Sequence, residues 1–127
     1  MSTSVIRLSV PPEPTFARSV RMMAANLAVL CSMSVDDVED ARMAAEEAFI
    51  YSCATRPEQC EVTFSLADDA LNMDFSLGNA QPTEDEALAE QVALAELLLS
   101  AVSDEYVINT SEAVLSVSKS VGGVYAD

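Results

Sequence analysis

The chain has 127 residues, half of them apolar, which is enough for one packed domain and too apolar for a disordered tail. Six Lys and Arg stand against 21 Asp and Glu, a net charge of −15 that repels nucleic-acid phosphates and anionic lipid headgroups over most of the surface. With no His, three Cys (Cys31, Cys53, Cys60) and three Gly (Gly78, Gly122, Gly123), there is no imidazole base or ligand, no four-thiolate zinc site, no Walker loop and no GxGxxG turn.

In chain order, residues 4–10 (Ser-Val-Ile-Arg-Leu-Ser-Val) have strand composition and stop at Pro11-Pro12, which cannot extend a ladder. Arg7 is the one basic residue before those prolines and the short apolar stretch stops at them, so the segment lacks the basic and apolar regions expected of a signal peptide. After Pro14, apolar residues recur at Phe16, Val20, Met23, Leu27 and Leu30, the spacing of one helix face, with Arg18 and Arg21 on the other side. Residues 1–30 carry a net charge of +2 and residues 31–127 a net charge of −17, so the N-terminal element differs electrostatically from the rest.

Ser34 with Asp37 three residues on is a close variant of the capping box, and Asp36 and Asp37 suit the positive end of a helix dipole. A second helix is expected from about Val35 to Ala54. Val38, Ala41, Ala45, Ala48 and Ser52 make a small-residue stripe that admits a close neighbour, and Glu39, Arg42 and Glu46 make an ion-pair face. Between them run Asp40, Ala44, Glu47 and Tyr51. A carboxylate and a phenol one turn apart either serve a site or lie wet at the helix edge.

Residues 60–66 and 71–77 alternate with period two around Ala67-Asp-Asp-Ala70, the pattern of a hairpin with one buried face. Thr83 and Glu86 form a second capping box for a helix to about Val102, expected to pack Leu94, Leu97, Leu98 and Ala101. Its most apolar run, 92–102, contains Glu96 and falls short of the ~20 residues of a membrane span. Residues 106–109 and 113–119 read as a second hairpin around Thr110-Ser-Glu112. The whole is a single α+β domain over residues 1–127 in the order β-α-α-β-β-α-β-β, with the thiols expected reduced and buried in a cytoplasmic protein.

Some motif matches fail in this context. Ser116-Val-Ser-Lys119 spells SxxK, but in a strand its first and last residues point to opposite faces, whereas a nucleophilic Ser must open a helix for Lys to reach it. The acidic clusters 36–40 and 84–86 lack the glycine and spacing of a calcium loop, so no metal site is expected.

The element order, and above all Ser34-Val-Asp-Asp-Val-Glu-Asp-Ala-Arg-Met-Ala-Ala-Glu-Glu-Ala48, resembles the anti-sigma-factor serine kinases of partner-switching systems, small members of the GHKL (Bergerat) ATPase superfamily. By order and length the resemblance covers residues 4–119. It implies a histidine kinase/Hsp90-like ATPase fold, a two-layer α/β sandwich whose mixed, mostly antiparallel sheet carries its helices on one face. It also places Glu47 at the family's general base, with Tyr51 where the family has the magnesium-binding Asn. Leu77 aligns with the Asp of an Asp-x-Gly that contacts adenine, Gly78 lies only approximately in register with its Gly, and Ala93-Leu-Ala95 stands where a Gly-x-Gly meets phosphate.

On this resemblance the metal residue, the adenine anchor and the glycine box have departed together, while Glu47 remains. A phenol is a poor ligand for magnesium, a Leu accepts no hydrogen bond from adenine, and methyl groups fill the space that phosphate needs. Five residues between Leu77 and Thr83 are too few for a Gly-rich lid, and acidic Glu84, Asp85, Glu86 and Glu90 follow. The resemblance thus implies a non-catalytic regulatory module without ATP or magnesium. Its implied partner is a sigma factor or an anti-anti-sigma protein, with a homodimer through the Arg18/Arg21 face as a further expectation. The alternatives are an active ATP-dependent serine kinase with unusual pocket residues, or a small-molecule sensor with a closed pocket lined by Met43, Phe64 and Met73.

Overall fold

The strand β1, Ser4–Val10, ends at the two prolines, and a single 3-10 turn at Pro14–Phe16 then leads into helix α1, Ala17–Leu30. The computed structural model describes residues 4–81 and 84–121. Helix α1 closes with Ser32 in the left-handed region, φ 64°, and with the Met33 amide donating to the Ala28 carbonyl at 3.2 Å. Helix α2, Val35–Ala54, begins as the sequence predicts: Ser34 Oγ accepts from the Asp37 amide at 3.1 Å. Strands β2 (Cys60–Leu66) and β3 (Ala70–Ser76) follow, then α3 (Glu86–Val102), β4 (Glu105–Asn109) and β5 (Val114–Ser120).

These elements form an α+β domain with a five-stranded sheet in the order β1-β2-β3-β5-β4, and every neighbouring pair is antiparallel. The mixed sheet expected from the resemblance is absent among the described strands, for a reason of parity. Two helices between β1 and β2 reverse the chain, so these adjacent strands oppose one another. One helix between β3 and β4 leaves those two parallel, but β5 is inserted between them and runs against both.

Alternation divides the sheet cleanly. Val62, Phe64, Leu71, Met73, Phe75, Leu115 and Val117 are buried and join α1 and α2 in one core, while Arg7, Glu61, Asn72, Asp74 and Glu105 lie on the opposite, exposed face. Each large side chain buried in this way contributes about 1.5–3 kcal/mol. The small-residue stripe does what its composition allows: Ala41, Ala45, Ala48 and Ser52 are fully enclosed, and α2 packs at once on α1, α3 and strands β2, β3 and β5. Ala44 is also fully buried, while Asp40, Glu47 and Tyr51 on the same line are half-buried.

Several side chains depart from the sequence expectations. Leu30 and Phe16 are exposed, and Val20, Ala24, Leu27 and Ala28 form the buried face of α1. The Arg21 guanidinium donates to Glu46 at 2.7 Å, linking α1 to α2. Arg42 pairs with Glu39 as expected. In α3 the packed residues are Ala95 and Leu99, whereas Leu94 and Leu97 are 54% and 65% exposed, and Ala101 is exposed too. Thr83, the expected cap, lies outside the described residues; Asp85 caps the helix, accepting from the Ala87 and Leu88 amides. All three cysteines are free thiols, Cys31 and Cys60 buried and Cys53 half-buried. Among the described residues no helix is long and apolar enough to cross a membrane.

Candidate functional site

The C-terminal turn of α2 gathers the chain around itself. Thr55 Oγ1 donates to the Ser52 carbonyl at 2.7 Å and accepts from the Gly78 amide at 2.8 Å. The Thr55 carbonyl accepts from the Ala80 amide at 3.0 Å, and the Leu77 amide donates to the Ala113 carbonyl at 2.8 Å. Residues 77–80 are thus held on one side by α2 and on the other by the turn between β4 and β5. Arg56 takes the left-handed position after the helix, φ 55°, which turns the chain toward β2.

Between these parts lies a cavity of about 290 Å³, walled by Tyr51 of α2, Thr55 just after it, Leu77–Gln81, Ile108 and Thr110 of the last hairpin, and Ala113. The sequence-predicted residues Tyr51, Leu77 and Gly78 therefore meet in one place. Glu47, a turn before Tyr51, does not line the cavity, and neither do Ala93 and Ala95. Ala95 is fully buried in the middle of α3 and Ala93 is exposed on it, so neither stands where a loop opens into a helix.

Gly78 has a packing role. A Cβ there would sit 2.5 Å from the Arg56 carbonyl carbon and 2.5 Å from the Pro57 nitrogen, and closer still to the Thr55 carbonyl oxygen. Only glycine lets these two backbone segments touch. A larger open hollow of about 610 Å³ lies over Arg56–Gln59 and Ser76–Ala80, on the far side of the same contact.

Burial governs the titrating groups here. Glu47 is pushed up from the ordinary carboxylate range by desolvation and then by neighbouring Glu46. Tyr51 is pushed up by burial, with Glu96 and Tyr106 adding to it, so its phenol is neutral at physiological pH. Tyr106 in turn donates to Glu96 Oε1 at 3.4 Å, joining β4 to α3. Cys53 is raised to about 12, chiefly by burial, which keeps it a thiol and not a nucleophile.

To the cavity Tyr51 brings a neutral phenol and Leu77 a side chain without polar atoms. Among the described residues no group of three or more Cys, Asp or Glu is arranged to hold a metal. The cavity's remaining polar groups are Asn79, Gln81 and Thr110, together with Thr55, whose hydroxyl is already engaged.

Sequence reasoning missed Thr55, whose hydroxyl fixes the 77–80 loop, and Glu96 with Tyr106. A Thr at the first position after a helix is the local signal for the former. Of the residues named for an apolar-ligand pocket, Phe64 and Met73 lie side by side on β2 and β3, fully buried in the core, and Met43 is 41% exposed on α2. SxxK is dispersed: Lys119 pairs with Leu71 on the core face, and Ser116 with Asp74 on the open face.

The chain matches no protein-family model, and no curated protein is significantly similar to it.

Proposed function

We propose that this chain is a non-catalytic regulatory module that acts by holding a protein partner, built on a GHKL (Bergerat)-type histidine kinase/Hsp90-like fold related to the anti-sigma-factor serine kinases. The observation that carries the reading is the cavity beside Tyr51, Leu77 and Gly78. On the resemblance these positions are the ones with which that family holds nucleotide, and here they are a neutral phenol, a leucine and a glycine committed to backbone packing. Glu47 stands outside it, with no positioned metal or phosphate contact for a base to act upon. The order of elements, with two helices between β1 and the β2-β3 hairpin, supports the same fold.

Binding needs only a surface, and a net charge of −15 favours encounter with a basic partner. On the resemblance, that partner is a sigma factor or an anti-anti-sigma protein. Neither ATP nor magnesium enters the proposed action. Isothermal titration of the purified protein with ATP and with ADP, each with magnesium at millimolar concentration, tests the reading. No heat and no thermal shift are expected. Micromolar binding would overturn it and make the serine kinase the reading to pursue.

A further inference from the structure

Helix α3 is built from the wrong residues for the place it occupies. Twelve of its seventeen residues are Ala, Val or Leu, the composition of a helix enclosed on all sides, yet only Ala95 and Leu99 are buried. Leu94 and Leu97 are 54% and 65% exposed. Together with exposed Ala93 and Ala101 they make a continuous apolar stripe at helical spacing. Helix α3 packs on α2 and β4 through its other faces, so none of the chain's described elements covers this one.

The charges around the stripe indicate what does. Glu86 and Glu90 share its face toward the N-terminus, and Asp104 and Glu105 follow its C-terminus, all four exposed. The ion pairs among the described residues join Arg21 to Glu46, Arg42 to Glu39, and Lys119 to Asp37 and Asp40, leaving these acids without a cation of their own. Acid at both ends of a leucine stripe complements an apolar segment flanked by Lys or Arg. A second copy of the chain fits less well: it brings a net charge of −15, and Arg21, one of the two arginines of its α1, is already spent on Glu46.

We propose that the outer face of α3, centred on Leu94 and Leu97, is a docking surface for a cationic amphipathic helix of a partner protein. The inference rests on the protein-binding reading above and locates the contact. From Glu90 to the end of α3 the helix rises about 18 Å, so a partner helix of about four turns, basic at both ends, spans it. The leucines supply affinity by leaving water, and the flanking acids supply orientation and encounter rate.

The test uses a fluorescent synthetic helix of about 18 Leu and Lys residues, with Leu at helical spacing, and a scrambled peptide of the same composition. Anisotropy is read at physiological salt with the whole protein and with the variants L94S/L97S and M22S/V29S, the second altering exposed residues of α1. Circular dichroism and urea unfolding establish that each variant folds. The amphipathic peptide is expected to bind at least about tenfold tighter than its scramble, and L94S/L97S to lose at least about tenfold while M22S/V29S loses nothing. Equal binding of the scramble, or binding indifferent to L94S/L97S, would overturn the proposal. So would a protein that sediments as a dimer without peptide and becomes monomeric in L94S/L97S, since a second copy would then own the stripe. Nucleotide titration is performed without peptide, so a failure of the non-catalytic reading is seen separately from a failure of this surface.

Discussion

The Lys119 ammonium lies 3.2 Å from the Asp40 carboxylate, joining the last strand to the second turn of the central helix. Asp37 stands 3.6 Å from the same nitrogen, and Lys119 is only 7% exposed. A cation so enclosed is tolerated on the core face of β5 because two carboxylates meet it there. The pair fixes the start of α2 over the end of the sheet.

Lys119→Ala should therefore cost about 1–3 kcal/mol, less than a fully buried pair because the Asp40 side chain is 41% exposed and water shares the loss. Asp40→Asn should cost less than about 1 kcal/mol, since Asp37 remains beside the ammonium. Urea unfolding measures both. If the two substitutions cost the same, Asp37 contributes nothing and the pair is not a three-membered cluster.

Gly78→Ala places a methyl group against the backbone of Thr55, Arg56 and Pro57, none of which can swing aside as a side chain does. The expected loss is about 1–3 kcal/mol, with the 77–80 loop displaced. Thr55→Val, which keeps the shape and removes the hydroxyl, should lose about 1–2 kcal/mol by leaving the Gly78 amide without its acceptor. Amide hydrogen exchange reads the second effect directly: protection at Gly78 should fall in Thr55→Val, and unchanged protection would remove Thr55 from the role given to it.

How much of this was legible depended on whether a residue's neighbours in sequence were also its constraints. The Ser34 cap, the α2 small-residue stripe and the alternation of the β2-β3 hairpin are local, and the sequence predicts them. The buried face of α3 was misplaced because nearly every position there is apolar, so periodicity carries no phase and only α2 and β4 decide which side is covered. The Lys119–Asp40 pair and the Gly78 contact join residues 79 and 23 positions apart, as Lys119 Nζ to Asp40 Oδ2 and as the Gly78 amide to Thr55, beyond the reach of any local pattern. Of the site, Tyr51, Leu77 and Gly78 converge, whereas Glu47, Ala93 and Ala95 stand apart from the cavity.

Ala45 and Ala48 test the packing of the central helix. Both are fully buried where α2 meets the sheet and its neighbouring helices. Leucine at either position adds volume to a contact made of small groups and should destabilise by about 1–3 kcal/mol. Thermal unfolding of Ala45→Leu at an unchanged midpoint would mean that this face has room the packing does not suggest.

Glu47 sets a pH dependence whose sign follows from its surroundings. Burial first, and Glu46 second, raise its folded pKa above that of the unfolded chain. In the window between the two values the folded state binds more protons, so the stability associated with Glu47 is fully present below the unfolded pKa, about 4.3, and is lost as pH rises through the folded value. Above the unfolded pKa the buried carboxyl is therefore a burden on the fold. Glu47→Gln keeps the shape and removes the charge, so its melting temperature should exceed that of the natural protein at pH 7, with the difference shrinking to nothing by about pH 4. Paired melting curves across that range provide the measurement. A lower melting temperature for Glu47→Gln at pH 7 would mean that the carboxylate meets a favourable partner there, and that Glu47 is held in place by something other than its burial.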